Sequence, residues 1–246
     1  MVKKLFKYEF LAYIRVLAPV YIAMLGVAAL GRILMIFEND TTSSDLLIGS
    51  SIFMYVATVL VAFGFVSIYA VVRFYKNMFS GEGYLTLTLP ATADEHIWAK
   101  LLSAVLFNFI SVVAFVVSFA IFAAGDVFKE VVEAALYLIK DAEWYYILEF
   151  ALSVVVGMVS NLLLYYACLS IGQLFKKNRI AGAIGIYFAY NLALQILSTI
   201  ALAILADYIG DVLEFILQRN YILSGIMAVA FFFITRHIIT NKLNLE

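Results

Sequence analysis

The chain has 246 residues, of which 65% are hydrophobic and 13% are charged, and its formal net charge is -1. Soluble globular domains are about 45–50% apolar and about 25% charged, and one core cannot hide this much apolar surface at such a length. The composition therefore excludes an ordinary soluble domain, favours a polytopic membrane protein, and gives no indication of a nucleic-acid partner.

An amphipathic helix is predicted over residues 3–17. Its apolar positions share one helical face: Phe6, Phe10, Tyr13, Ile14 and Leu17. Lys4, Lys7 and Arg15 lie off that face, a pattern typical of a helix lying in the headgroup layer. Proline is tolerated in a first helical turn, so Pro19 is expected to redirect the chain into the first span. The early charges and the lack of a small-residue cleavage site argue against a signal peptide.

Six membrane spans are predicted from long apolar runs, because a helix of about 20 residues crosses a bilayer with its backbone hydrogen bonds satisfied. They cover about residues 17–37, 46–72, 101–125, 145–175, 180–206 and 220–239. The last run is the shortest, and it needs apolar residues on one side, such as Ile238 and Ile239, to reach full length. The predicted class is an all-α integral membrane protein with one transmembrane domain over residues 1–246.

Basic residues are distributed unevenly between the two sets of connections. Twelve of the sixteen fall on one side: Lys3, Lys4, Lys7, Arg15, Arg73, Lys76, Lys100, Lys176, Lys177, Arg179, Arg236 and Lys242. Since lysine and arginine concentrate in cytoplasmic loops, this side is predicted to be cytoplasmic and to hold both termini.

Two polar-apolar segments fall on the predicted outer side. Residues 126–141 have the pattern of an amphipathic helix, and residues 207–219 form a similar segment before the last span. The first is expected either to lie on the membrane surface or to cap the bundle. Together they suggest an outer lid of helices, and the alternative is a pair of solvated connectors.

The longest cytoplasmic connection contains an unusual segment, residues 79–92, called the elbow below. Gly81 and Gly83 are expected to end the preceding helix, and Pro90 is expected to end any regular structure before it. The alternating residues 84–89 suit a strand, a short helix or an extended ledge equally. Thr92 and Glu95 have capping-box spacing, which predicts a helix starting near Ala93.

The elbow also exposes apolar side chains in a predicted cytoplasmic loop. Leu85, Leu87 and Leu89 alternate with hydroxyl residues there. Exposed apolar residues on a short loop indicate contact with lipid or with another protein.

Three features together resemble the permease subunits of ATP-binding-cassette (ABC) transporters, in the type-2 exporter class of Gram-positive bacteria. They are the start KYEFLAYIRVLAPVY, the elbow RFYKNMFSGEGYLTLTLPAT and the six-span layout. The elbow of those permeases reads close to E-G-Y-L-T-[FL]-T-L-P. The layout covers the whole chain, whereas specific residues match only in the start and the elbow.

The resemblance implies a set of partners and roles. Residues 3–17 would be the connecting helix, and the elbow would hold the coupling helix that seats on an ABC ATPase subunit. The implied contact residues are Glu82, Gly83, Tyr84, Leu85 and Pro90, with Leu87 exposed among them. A second permease subunit, identical or different, would complete the transporter in a bacterial cell membrane. The segment before the sixth span would match the gate helices of these exporters.

No catalytic or cofactor motif is found in the sequence. Without a P-loop motif, the chain is not expected to be an enzyme, and ATP and magnesium are expected on the partner subunit. His96 and His237 have no metal-ligand neighbours, and Cys168 is interpreted as a small apolar residue inside a helix.

Amides inside the spans are candidates for a translocation path. Asn161, Asn191 and Gln195 lie within apolar runs, and the last two share one helical face. Such amides either bond between helices or line a pathway.

Two other functions stay open from the sequence. One is a non-transporting membrane protein whose elbow docks a soluble partner, and the other is a secondary transporter. The lack of a charge at any span centre and of an inverted repeat argues against the latter.

Overall fold

The computed structural model describes residues 2–36, 42–81, 83, 91–175, 177–205 and 220–241. Within these ranges the chain forms seven α-helices and no strand. In chain order they are α1 (Val2–Ile36), α2 (Thr42–Phe79), α3 (Ala93–Phe122), α4 (Asp126–Asp141), α5 (Trp144–Gly172), α6 (Arg179–Leu205) and α7 (Asn220–Asn241). The predicted all-α class is confirmed for this part of the chain.

Six of these helices are long and apolar enough to cross a membrane, which confirms the predicted number of spans within the described residues. The shortest predicted span gains its length at the C-terminal end, since α7 runs through Ile238 and Ile239 to Asn241. Helices α2 and α3 extend beyond the apolar runs that predicted them, to Phe79 and from Ala93. The chain thus has the character of a multi-pass helical membrane protein.

The chain divides into two compact units. Unit 1 comprises Met1–Ala70 and Leu102–Glu143, and unit 2 comprises Val71–Leu101 and Trp144–Glu246. Helices α2 and α3 contribute residues to both units because each runs past the boundary.

The N-terminal helix differs from its prediction. α1 is one continuous helix of 35 residues with Pro19 inside it, so residues 3–17 and the first span are not separate helices. Proline removes one backbone hydrogen bond and crowds the preceding turn. In a long membrane helix, neighbouring helices and local adjustments accommodate that loss, so a proline alone does not end the helix.

The buried face of α1 matches the predicted apolar face only in part. Tyr13 and Leu17 are buried as the helical spacing suggests, and the stripe continues through Met24 and Ala28. Ile14, predicted to share that face, is 41% exposed. The burial therefore follows a narrow line of contact with neighbouring helices rather than the wider apolar face.

Tyrosine hydroxyls connect the three long helices of unit 1. Each pair of helices shares at least one such bond: Tyr21 Oη with Ser111 Oγ at 2.7 Å, Tyr55 Oη with Ser118 Oγ at 3.0 Å, and Tyr69 Oη donating to the Ala12 carbonyl at 3.2 Å. In an apolar environment a hydroxyl without a partner is costly, so these bonds favour one arrangement of the helices.

A close aromatic packing site lies where α1, α2 and α3 meet. The Phe122 ring stacks on Tyr55 with centroids 4.3 Å apart and an interplanar angle of 8°. The ring also lies against Gly31, where an added Cβ would lie 2.6 Å from Phe122 Cε2. A side chain at position 31 would therefore displace the Phe122 ring.

Helix α4 has the bounds predicted for the outer amphipathic helix, Asp126–Asp141. Its apolar side chains Val131 and Leu138 are 47% and 69% exposed, so the helix does not bury that face in the described chain. Residues 207–219, the second part of the predicted lid, lie outside the described residues.

Helix α5 is the packing centre of unit 2, where it contacts α6 and α7. The C-terminal half of α5 is buried: Leu162, Leu163, Leu164, Tyr166, Ala167, Cys168, Leu169, Ser170 and Gly172. At Gly172 an added Cβ would lie 2.7 Å from the Ala183 Cβ and 2.8 Å from the Arg179 carbonyl oxygen. The end of α5 and the start of α6 therefore approach closely only because this residue has no side chain. Cys168 is buried inside the helix, as its apolar interpretation predicted.

Candidate docking site at the elbow

The elbow joins the end of α2 to the start of α3, and the structure describes its two ends. Of the predicted contact residues, Gly83 lies in the described part. The others lie outside the described residues: Glu82, Tyr84, Leu85, Leu87 and Pro90. The contacts that hold its two ends therefore define the site.

At the first end, α2 is interrupted at Ser80, and Gly81 and Gly83 are again helical. The Gly83 N–H donates to the Ser80 carbonyl at 2.7 Å, and Gly83 is buried. An added Cβ would lie 2.7 Å from the Met78 carbonyl oxygen, which is closer than side chains and backbone approach each other. The glycine predicted to break the helix thus allows the chain to fold back against the last turn of α2.

The second end is a capping box, as the sequence predicts. The Thr92 N–H donates to Glu95 Oε2 at 3.0 Å, and the Glu95 N–H donates to Thr92 Oγ1 at 3.3 Å. Two backbone donors at the start of α3 are thereby satisfied. Helix α3 begins at Ala93, where the spacing places it.

Both ends of the elbow are fixed on other helices of unit 2. On the α2 side, Phe74 stacks on Tyr166 of α5 with ring centroids 3.8 Å apart, and it meets Phe79 edge-on at 5.7 Å. On the α3 side, Asp94 Oδ1 lies 3.0 Å from Arg236 Nε of α7. These contacts connect the elbow to α5 and α7. Hydropathy and local motifs did not indicate them, because they join residues far apart in the chain.

The start of α3 buries more polar groups than expected. His96 is 2% exposed and Lys100 is 4% exposed, although Lys100 was assigned to a cytoplasmic connection. Trp98, which lies between them in the sequence, packs against Phe232 of α7 with ring centroids 5.5 Å apart. This turn of α3 is therefore part of the core of unit 2.

Metal chemistry has no support in the described part of the chain. No group of three or more histidine, cysteine or acidic side chains with metal-binding geometry occurs there. The His237 ring lies in a hydrogen bond between its Nδ1 and Asn241 Nδ2 at 3.0 Å.

The candidate path residues Asn161 and Asn191 belong to one polar surface on α5 and α6. Asn161 Nδ2 donates to Tyr165 Oη at 3.3 Å, and Asn191 Nδ2 donates to the Tyr187 carbonyl at 2.8 Å. The Tyr165 and Tyr187 rings lie 5.5 Å apart, so the residues next to the two amides meet between α5 and α6. Neither tyrosine was predicted as a site residue; their positions four residues from an intramembrane amide were the available signal.

Gln195 continues this surface one turn along α6. It is exposed, and so are all residues from 191 to 200. Within the described residues its side chain forms no hydrogen bond to another helix, so the interhelical packing role considered for Asn191 and Gln195 has no support inside unit 2.

No protein-family model matches this chain, and no curated protein or solved structure shows significant similarity to it.

Proposed function

We propose that this chain is the permease subunit of an ATP-driven ABC exporter, which moves a substrate outward across or out of a bacterial cell membrane. The observation that carries the proposal is the elbow itself. Its sequence resembles the coupling segment of type-2 exporters, and it leaves and rejoins helices whose ends are packed into one unit. An external subunit would need such an attachment to act on membrane helices.

The contacts of the elbow supply a route for the mechanical step. Closure of the ATPase subunits on ATP would displace the elbow, and its ends would carry the displacement to α5 and α7. The Phe74–Tyr166 stack and the Asp94–Arg236 ion pair are the contacts that transmit it. Packed aromatic rings transmit displacement because interiors are dense and poorly compressible.

The distribution of charged residues agrees with a transporter that is driven by ATP hydrolysis outside the bilayer rather than by an ion gradient. The buried charged residues Glu9 and Lys100 lie near helix ends, and no charge occupies the centre of a predicted span. Ion-coupled transporters rely on carboxylates inside the membrane, which this sequence does not place there. The ATP and magnesium of the proposed transporter belong to the partner subunit.

The exposed amide surface favours a second permease subunit next to α6. Asn191 and Gln195 are polar groups on a helix with little cover from its own chain. Uncovered amides are costly in hydrocarbon, so a facing subunit or a water-filled path between two subunits would satisfy them. Asn161 would line the same path from α5.

Co-purification tests this proposal. The tagged chain is purified from its native membrane alongside three variants: Glu82→Arg and Leu87→Asp in the elbow, and Leu174→Asp as a matched control. Leu174 is 52% exposed and lies on the same predicted side, between α5 and α6. We expect an ABC ATPase subunit to accompany the unmodified chain and the Leu174→Asp variant, and to be lost from both elbow variants.

Two results would contradict the proposal. One is the absence of any ATPase subunit from the unmodified preparation, which would favour a non-transporting membrane protein or a secondary transporter. The other is an undiminished ATPase yield with both elbow variants, which would move the contact away from the elbow.

A further inference from the structure

An open groove lies between the start of α1 and the first two turns of the predicted third span, entirely within unit 1. Its volume is about 600 Å³, within the range of about 300–1,000 Å³ typical of small-molecule sites. Lys3 and Phe6 line it from α1, and Leu102, Leu106 and Phe109 line it from α3. One cation and an apolar wall thus share a single groove.

Aromatic packing fixes the two helices that form the groove. Phe6 stacks on Phe10 at 6.1 Å, and Phe10 packs on Phe107 at 5.3 Å between ring centroids. Tyr13 stacks on Phe107 at 4.9 Å one turn further along. The groove is therefore preformed by buried contacts behind it.

The polar end of the groove is positively charged. Lys3, Lys4 and Lys7 are all exposed, and none forms an ion pair with another residue of the described chain. Glu9, the acidic residue of this part of α1, is buried instead of lying exposed beside them. These lysines therefore favour an anion near the end of the groove.

The opposite end of the groove extends along a membrane helix. Leu102 to Phe109 covers seven helical steps, which is roughly 10 Å at the rise of an α-helix. This stretch lies at the start of the predicted third span, so the groove runs from the headgroup level into the hydrocarbon. A ligand that fits it is anionic at one end and an alkyl chain at the other.

We propose that this groove binds one acyl chain of an anionic phospholipid, with the lipid phosphate held by Lys3 and supported by Lys4 and Lys7. A free phosphate would leave the apolar wall uncovered. A second copy of the chain in a symmetric contact would bring the same lysines face to face, which like charges disfavour. The binding does not depend on an ATPase partner, so the proposed transport function can fail while this site remains.

Native mass spectrometry of the full chain tests the charge requirement. The protein is equilibrated with phosphatidylglycerol and phosphatidylcholine carrying the same acyl chains, and the ratio of retained lipids is measured. We expect a preference for phosphatidylglycerol, which falls about fivefold for each lysine replaced in Lys3→Gln, Lys4→Gln and Lys7→Gln. Lys177→Gln, an exposed lysine on the same predicted side, is expected to leave the ratio unchanged.

Filling the groove tests the acyl-chain requirement. Leu106→Trp is expected to reduce retention of the bound lipid, and Val105→Trp is a second variant from the same wall. Val113→Trp is the matched control, because Val113 lies on the same helix and is 63% exposed outside the groove. Thermal stability in detergent is measured for each variant to show that it is folded.

Two outcomes overturn the proposal. Equal retention of phosphatidylcholine and phosphatidylglycerol by the unmodified chain would show that binding does not require an anionic headgroup. Loss of preference in the lysine variants with full lipid retention in both folded tryptophan variants shows that phosphate binds the surface lysines without an acyl chain in the groove.

Discussion

Helices α5 and α6 are consecutive, similarly apolar and both long enough to cross a membrane, yet their surroundings differ greatly. The C-terminal half of α5 is buried among other helices of unit 2, whereas residues 191–200 of α6 are all exposed. In a membrane, apolar side chains suit both lipid and protein surroundings, so hydropathy does not distinguish the two helices. Burial distinguishes them: the C-terminal half of α5 packs closely around Gly172, whereas α6 leaves its stretch around Asn191 and Gln195 exposed.

The largest effect is expected from an aromatic residue that α5 buries. Tyr166→Ala removes a fully buried ring stacked on Phe74, and we expect it to lower the free energy of unfolding by about 3–5 kcal/mol. Phe188→Ala on α6 is the matched control; its ring is 66% exposed, so a change within about 0.5 kcal/mol is expected. Denaturant unfolding in detergent measures both, and equal losses would remove the contrast between the helices.

A smaller loss is expected where α5 meets the start of α6. Gly172→Ala places a methyl group against the Ala183 Cβ and the Arg179 carbonyl, and about 1–3 kcal/mol of overpacking is expected. Gly157→Ala on the same helix has open space at its Cβ and serves as the control. The midpoints of thermal unfolding report the difference. A Gly172→Ala variant as stable as Gly157→Ala would show that the close approach is not required.

The tyrosine hydroxyls of unit 1 provide a third, weaker test of buried packing. Tyr55→Phe removes the hydroxyl bonded to Ser118 and keeps the ring on Phe122, so a loss of about 0.6 kcal/mol is expected. Tyr137→Phe, on the exposed surface of α4, is expected to change nothing measurable. Unfolding curves of both variants measure the difference in the free energy of unfolding. A Tyr55→Phe variant as stable as the unmodified chain would mean that the hydroxyl adds no stability.

The amides of α6 are expected to affect assembly without affecting the stability of the single chain. Asn191→Leu with Gln195→Leu leaves the packing of unit 2 unchanged, because both side chains are exposed. Under the proposed function, the double variant is expected to reduce the fraction of paired permease subunits, measured by cross-linking in membranes. Ile196→Ala and Leu197→Ala are apolar controls from the exposed part of the same helix. Pairing that is unaffected by the amide changes would assign this face to lipid.

Local patterns predicted a large part of the fold. The capping box at Thr92 and Glu95 is confirmed with its helix start, and the amphipathic periodicity gave the bounds of α4, Asp126–Asp141. These features depend on neighbours within a few residues, which a sequence displays directly. Pro19 shows the limit of such reasoning, since its local preference is overridden by the long helix around it.

The surroundings of the candidate site were harder to predict. The Asp94–Arg236 ion pair and the Phe74–Tyr166 stack join distant segments, and no local spacing indicates such pairs. Tyr165 and Tyr187 each lie four residues from an intramembrane asparagine, but that spacing does not indicate that their rings meet between α5 and α6. The sequence indicated the elbow, but only the packing shows which helices its ends are attached to.

Site-specific photo-crosslinking tests the central claim most directly. A photoreactive residue replaces Leu87 in the elbow of the full chain, and a control replaces the exposed Tyr137 on α4. After irradiation of native membranes, we expect a covalent adduct between position 87 and an ABC ATPase subunit, and none from position 137. The absence of an ATPase adduct at position 87, or an adduct of equal yield at both positions, would contradict the proposed coupling role of the elbow.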